Sequence, residues 1–263
     1  MVDLKIVVHG ALGKMGQEVL NAVNNTDGLV AVGGADFAAS ENTVAIPNSN
    51  SEVPLTNDLS QIIGHADVVV DFTNAEGAKN VMAVSAPAGV HCVIGSTGMS
   101  EKDLSLAQTL ATDNGTSIII APNFAMGAVL MTHLVRLASK FFDYADLTEV
   151  HHEAKIDAPS GTAISIAQAA ADGKKSPFEA PTAEKELINN TRGGDHAGVV
   201  IHSGRMPGRV AHHEMVFGAL GQTLTIRHDS INRESFMPGV IMAIKESVTS
   251  KGLTVGLDKI MGL

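Results

Sequence analysis

The sequence predicts an α/β protein in which a parallel sheet, covered by helices on both faces, is followed by a smaller mixed sheet. Three observations carry this. The first half of the chain alternates short apolar runs with helix-like segments. Those runs are continuous, as in strands buried on both faces, rather than alternating. After about Phe124 the runs take on polar alternation, the pattern of a half-exposed sheet. At 263 residues the chain has room for about two domains. Its hydrophobic content of 44% and mean hydropathy of +0.16 exclude a disordered chain.

In chain order, Leu4–Val8 reads as the first strand and runs into a glycine-rich turn. Residues Lys14–Asn25 read as a helix, with Met15, Val19, Leu20 and Val23 on one face. Leu29–Ala35, Asp67–Phe72, Val90–Ile94 and Ser117–Ala121 are further strands, with helices at about Asn74–Ala86 and Ser100–Thr112 between them. A long helix is expected over Ala125–Phe141, then strands at Asp146–His152, Val199–Ser203, Ala211–Phe217 and Gln222–His228. Residues 173–198 carry Gly, Pro and charge, and read as a loop-rich insertion. A final helix, about Arg233–Ser250, precedes a short tail.

Eighteen Lys and Arg against 28 Asp and Glu give a net charge of −10, which leaves no electrostatic footprint for nucleic acid or an anionic membrane. An anionic small molecule would have to be met by local positive groups. The single cysteine, Cys92, excludes an intrachain disulfide and argues for a reducing compartment. Residues Met1–Lys5 lack a signal-peptide pattern, and no apolar run approaches the roughly 20 residues of a membrane span. A cytoplasmic protein is expected.

Gly10-Ala11-Leu12-Gly13-Lys14-Met15-Gly16 joins the first strand to the first helix. Small residues there let the backbone turn and approach a pyrophosphate, which the helix amino terminus attracts. The spacing is G-x-x-G-x-x-G rather than the commoner G-x-G-x-x-G, and a turn that is glycine-rich for packing alone is the competing reading. Asp36 stands at the end of the second strand, twenty residues past Gly16, where a ribose-binding carboxylate belongs. Asp36 would repel a 2′-phosphate and no cation follows it. NADH is therefore expected to be used as well as NADPH or better, with Lys14 able to reach the phosphate of NADPH.

The segment from His151 to Ala163 is the richest. It begins at a strand end and closes on Pro159-Ser160-Gly161-Thr162, a helix-start signal whose amides and hydroxyls suit an anion. His151, His152 and Lys155 lie just upstream. An ordinary N-cap explains Ser160 or Thr162 alone; the adjacent His and Lys favour a site. A metal reading of His151-His152-Glu153 and His212-His213-Glu214 meets a geometric objection, because neighbouring strand residues point to opposite faces. The same alternation puts His151 and Lys155 on one face if the strand runs on. If His152 also touches substrate, the strand must end or twist near His151.

The stretch His151-His152, Lys155 and Asp157–Ala163 resembles the signature of the 4-hydroxy-tetrahydrodipicolinate reductase (dihydrodipicolinate reductase) family of lysine and diaminopimelate biosynthesis. The likeness spans the chain, including Gly10–Gly16, Asp71-Phe72-Thr73, Gly95-Ser96-Thr97-Gly98, Ala121-Pro122-Asn123-Phe124, and His228 with Arg233. Leu12 stands where the family often has Gly or Ala, and Asn74-Ala75 where it often has a basic residue and proline.

The resemblance implies a Rossmann-like parallel-sheet domain over residues 1–124 and 234–263. Residues 125–233 would form an α+β mixed-sheet domain for substrate binding and oligomerisation, assembled as a homotetramer. It implies His151 as the general acid/base and Lys155 as second proton donor and charge partner. His152, Ser160, Gly161 and Thr162 would hold a small cyclic dicarboxylate. Gly10, Ala11, Leu12, Gly13, Lys14 and Met15 would cradle the cofactor pyrophosphate. Gly95, Ser96, Thr97 and Ala121, Pro122, Asn123, Phe124 would line the nicotinamide end. Two rivals are a different dehydrogenase of the same fold and a cofactor-sensing regulator. Lys155 with Pro159–Thr162 argues against the first, and a His–Lys pair beside an anion cradle against the second.

Overall fold

The computed structural model describes residues 3–181 and 183–263. The chain divides into two compact units, Met1–Phe124 with Phe236–Gly262, and Ala125–Ser235.

In the first unit, strands β1 (Leu4–His9), β2 (Leu29–Ala35), β3 (Thr43–Ala45), β4 (Glu52–Thr56), β5 (Val68–Asp71), β6 (His91–Ile94) and β7 (Ser117–Ile120) are joined through helices α1 (Lys14–Asn24), α2 (Ala75–Ser85) and α3 (Glu101–Asn114). Ile6, Val7 and Val8, and Val68, Val69 and Val70, are fully buried, so consecutive residues on both faces of the sheet are covered. That is why these strands read as unbroken apolar runs. One side of the core gathers Val7, Val69, Cys92 and Ile118 under Ala78, Val81 and Met82 of α2 and Ala107 and Ala111 of α3. The helices start where capping dictates. Asn74 accepts from the amides of Glu76 and Gly77, and Ser100 and Asp103 form a reciprocal capping box.

The second unit opens with α4 (Met126–Ser139), followed by β8 (Tyr144–His151), α5 (Gly161–Lys174), β9 (Gly194–His196), β10 (Val199–Arg205), β11 (Ala211–Ala219) and β12 (Gln222–Ser230). Its sheet order is β12-β11-β8-β10-β9, with β8 and β10 parallel and the other pairs antiparallel. Burial alternates along β8. Leu147, Val199, Ile201, Met215 and Phe217 pack with Met131 and Val135 of α4 and Ile166 and Ala170 of α5. Among the described residues no helix of this unit covers the opposite face, where Tyr144, Asp146, Thr148, Val200, His202 and Val216 line a hollow of about 430 Å³. The loop-rich reading of residues 173–198 needs correcting at its ends, since α5 extends to Lys174 and Gly194–His196 pairs as an edge strand.

The chain then returns to the first unit with α6 (Met237–Ser247), β13 (Gly252–Val255) and α7 (Leu257–Met261). The expected short tail is therefore structural: β13 pairs parallel with β7 and completes an eight-stranded sheet of order β13-β7-β6-β5-β1-β2-β4-β3. All its neighbours are parallel except β3 and β4. β1 has β2 on one side and the later β5 on the other, so the connection reverses direction at β1. In sheets of this kind ligands bind beyond the carboxyl ends of the strands at such a reversal. Among the described residues no helix is long and apolar enough to cross a membrane.

Candidate active site

The glycine loop leaves the carboxyl end of β1 at that reversal. Gly10 takes φ +82°, and its amide and that of Ala11 donate to the carbonyl of Ala35 at the end of β2. Gly16 lies so close to the loop that a Cβ would stand 2.0 Å from the carbonyl oxygen of Gly10. Glycine is thus required where α1 meets the loop. α1 begins at Lys14, next to Gly13, with no side-chain cap and no acid in its first turn. Its positive amino-terminal end is uncompensated, which fits a pyrophosphate. Asp36 is nearly buried; its two oxygens accept from the amides of Leu12 and Ala38, each at 3.0 Å. The carboxylate is thereby fixed to the loop, with lone pairs left for ribose hydroxyls. These residues fit the adenosine half of a pyridine nucleotide.

At the neighbouring strand ends lies a cluster that joins His9, Asp71 and Thr73 to Ser96 of the expected nicotinamide end. Asp71, fully buried, accepts from the Thr73 hydroxyl at 2.7 Å and the Ser96 hydroxyl at 2.5 Å, with His9 Nδ1 2.7 Å away. Ser96 Oγ in turn accepts from the Thr73 amide at 2.8 Å. A Cβ on Gly95 would fall 2.2 Å from the ring of Phe72, which packs against Phe124 with ring centres 5.7 Å apart. Gly95, Ser96 and Thr97 follow β6, and Ala121, Pro122, Asn123 and Phe124 follow β7, so the parallel sheet brings both sets to the carboxyl edge that carries the glycine loop.

In the second unit, β8 ends at His151. The chain then turns, with the Lys155 amide bonded to the His152 carbonyl. The strand does not run on, so the shared strand face expected for His151 and Lys155 is corrected: Lys155 belongs to the turn. Its Nζ donates to Asp157 at 2.6 Å. Ser160 caps α5 by accepting from the Ala163 amide, which leaves Gly161 and Thr162 in the first turn with no acid beside them. A Cβ on Gly161 would meet nothing within 4 Å. This helix end suits a carboxylate.

Three further residues surround His151, one from its own strand and two from the neighbouring strands. Glu149, fully buried on the same strand face, lies with Oε2 2.5 Å from His151 Nδ1. Arg205, paired in register with His151 from β10, donates from both terminal nitrogens to the two Glu149 oxygens, at 2.9 and 2.8 Å. The Ser160 amide also points to Glu149, at 3.3 Å. His213, opposite Glu149 on β11, sits edge-on to His151 at 5.3 Å with Nε2 3.2 Å from Ser160 Oγ. Burial alone raises the Glu149 pKa, but bonds from Arg205, Ser203 and His151 outweigh it and hold the carboxyl below its ordinary value. Burial, together with the nearby Lys155 and Arg205 charges, lowers the His151 pKa despite the opposing pull of Glu149, so the ring is neutral near pH 7. Burial also pushes His213 down to about 4.

Residues 4–124 match the family described as dihydrodipicolinate reductase, N-terminus, and residues 127–261 its C-terminus. The 4-hydroxy-tetrahydrodipicolinate reductase of Dehalococcoides mccartyi is 44% identical over the whole of both chains. That of Syntrophomonas wolfei is 41% identical over 98% of each chain. The dipicolinate-bound dihydrodipicolinate reductase of Paenisporosarcina sp. TG-14 superposes with a TM-score of 0.87 at 37% identity, covering 98% of this chain and all of that one. An amine dehydrogenase from Mycobacterium smegmatis, TM-score 0.69 at 15% identity, shares the fold alone. On these matches, the chain belongs to the dihydrodipicolinate reductase family and is an oxidoreductase of lysine and diaminopimelate biosynthesis.

Proposed function

We propose that the chain reduces 4-hydroxy-tetrahydrodipicolinate, by way of dihydrodipicolinate, to tetrahydrodipicolinate, with His151 as proton donor and Lys155 as the cation on the substrate. The reading is supported chiefly by one juxtaposition. A histidine with an anchored Nδ1, a lysine and an acid-free helix start all lie within the thirteen residues from His151 to Ala163. The dipicolinate bound to the Paenisporosarcina relative is a planar dicarboxylate of the same class. In this reading Gly161 and Thr162 amides, with Ser160 and His152, take one carboxylate, and Lys155 exchanges Asp157 for the other charge.

A reduced pyridine nucleotide supplies the hydride that reaches one carbon of the unsaturated system. The adjacent carbon needs a proton. His151 is neutral without substrate, and a bound dianion raises its pKa, so the ring takes a proton on Nε2 and passes it on. Gly10–Met15 and Asp36 would hold the cofactor's pyrophosphate and ribose; Gly95–Thr97 and Ala121–Phe124 would flank its nicotinamide. We assign the dinucleotide to residues 1–124 and 234–263 and the substrate to residues 125–233, in a cytoplasmic homotetramer that uses NADH equally or preferentially and also accepts NADPH.

The test mixes the protein with NADH and freshly formed condensation product of pyruvate and aspartate semialdehyde, and follows loss of the reduced-nicotinamide absorbance. His151→Gln keeps size and removes the transferable proton, so kcat should fall roughly 10²- to 10⁴-fold. Lys155→Met keeps the stem and removes the charge, so kcat should fall and KM rise. Unchanged NADH affinity is expected in both. Folded variants that each kept kcat within about threefold of wild type would overturn the assignment.

A further inference from the structure

We propose that Glu149, clamped by Arg205, is the positioning residue that fixes the tautomer and charge of His151. The inference rests on the reading of His151 as proton donor and adds the groups that make it one. Glu149 is fully buried: Arg205 donates to both of its oxygens, the Ser160 amide to Oε1, the Ser203 hydroxyl bonds it as well, and His151 Nδ1 lies 2.5 Å from Oε2. A carboxylate so surrounded accepts only. His151 Nδ1 must therefore carry a hydrogen, and the lone pair of the neutral ring lies on Nε2. That is the nitrogen free to take up and release the proton of the reaction. Glu149 remains ionised throughout, offsetting the charge of the imidazolium while the proton resides on Nε2 and receiving none itself.

Arg205 links this pair to the substrate loop. Its Nη2 also donates to the carbonyl of Asp157 at 2.6 Å, and Nη1 to the carbonyl of Gly204. One guanidinium thus holds Glu149 and the loop whose Lys155 bonds Asp157. The charged and titratable groups around His151 are Glu149 on its own strand, Arg205 from β10, Lys155 and Asp157 from the turn, and His213 from β11 with His228 beyond it on β12. Lys155 and Arg205 disfavour the imidazolium and His213 is neutral, so Glu149 is the one group among these that lies against the ring and favours the charged form.

The experiment is nitrogen NMR of the histidine rings in the whole protein, with His151 assigned by its loss in His151→Gln, together with the pH dependence of kcat. Wild type should show His151 with its hydrogen on Nδ1. In Glu149→Gln, Arg205 claims the amide oxygen and the amide nitrogen faces Nδ1, so the hydrogen should move to Nε2. The high-pH fall of kcat should shift to lower pH by about one unit, and kcat near neutrality should drop on the order of 10²-fold with KM within about threefold, since Glu149 is not expected to touch substrate. Glu149→Asp keeps the charge and should restore part of kcat and the position of the pH profile. A wild-type ring with its hydrogen on Nε2 overturns the proposal, whether or not the variants fold. So does a folded Glu149→Gln with an unmoved tautomer and pH profile. Full activity in His151→Gln would instead overturn the donor reading and leave the tautomer result standing.

Discussion

His213 is 3% exposed, and burial holds its pKa at about 4 against an ordinary 6.5. Above pH 6.5 folded and unfolded chains both carry the neutral ring and the group adds no pH dependence. Between 6.5 and about 4 the unfolded chain binds the proton and the folded one does not, so stability falls as pH falls. The loss across that window is on the order of 3 kcal/mol. Urea midpoints of wild type should decline over this range more steeply than those of His213→Gln; parallel slopes would contradict the assignment. Asp36 gives a second residue-level expectation. Its oxygens take the Leu12 and Ala38 amides, and Phe37, Ala38, Ala39 and Ser40 bring no cation to a 2′-phosphate. Use of NADH should equal or exceed that of NADPH in kcat/KM. A tenfold preference for NADPH, about 1.4 kcal/mol, would refute this.

At the level of elements, the close approach of α1 to its loop makes Gly16 the sensitive position. A Cβ there would collide with backbone, 2.0 Å from the Gly10 carbonyl oxygen, so Gly16→Ala must shift the helix start away from the loop. NADH binding should weaken at least about tenfold while dipicolinate binding by the second unit is kept. Isothermal titration with each ligand checks both halves, and unaltered NADH affinity would mean that the helix start does not hold the pyrophosphate. The same scale explains what was legible in the sequence. Strands buried on both faces, such as Val68–Asp71, and capped helices, such as that after Asn74, signal themselves locally. β3, β4 and β13 do not: they are three to five residues long, lie at or near sheet edges, and β4 contains Pro54. His151 and Lys155 stood out in one contiguous segment. Arg205 and His213 reach that segment only through the β8–β10 and β8–β11 registers, which no local spacing encodes. Glu149 was within reach of a strand-alternation argument, being two residues from His151.

At the level of the molecule, the second unit's sheet divides its work between faces. Alternate residues of β8, Ala145, Leu147, Glu149 and His151, are buried; the others, Tyr144, Asp146, Thr148 and Val150, lie on the opposite face. The register aligns Val216 of β11 with Asp146, and Val200 of β10 with the same Asp146, so two valines flank an acid at the centre of that face. Arg227–Glu214 and His212–Asp229 pairs cross it from the β12 side. A second copy packed on this face about a two-fold axis would take its valines out of water. We propose that the homotetramer assembles through this face. Light scattering at micromolar concentration should give four times the chain mass of 27.3 kDa. Val216→Asp sets a second acid beside Asp146 and, across a two-fold axis, beside its copies; like charges brought together and desolvated at an interface are strongly unfavourable. That variant should lose the tetramer while its far-ultraviolet circular dichroism stays that of wild type. A 27.3 kDa wild-type species at that concentration, or a Val216→Asp protein still tetrameric, would remove this face as the seat of assembly.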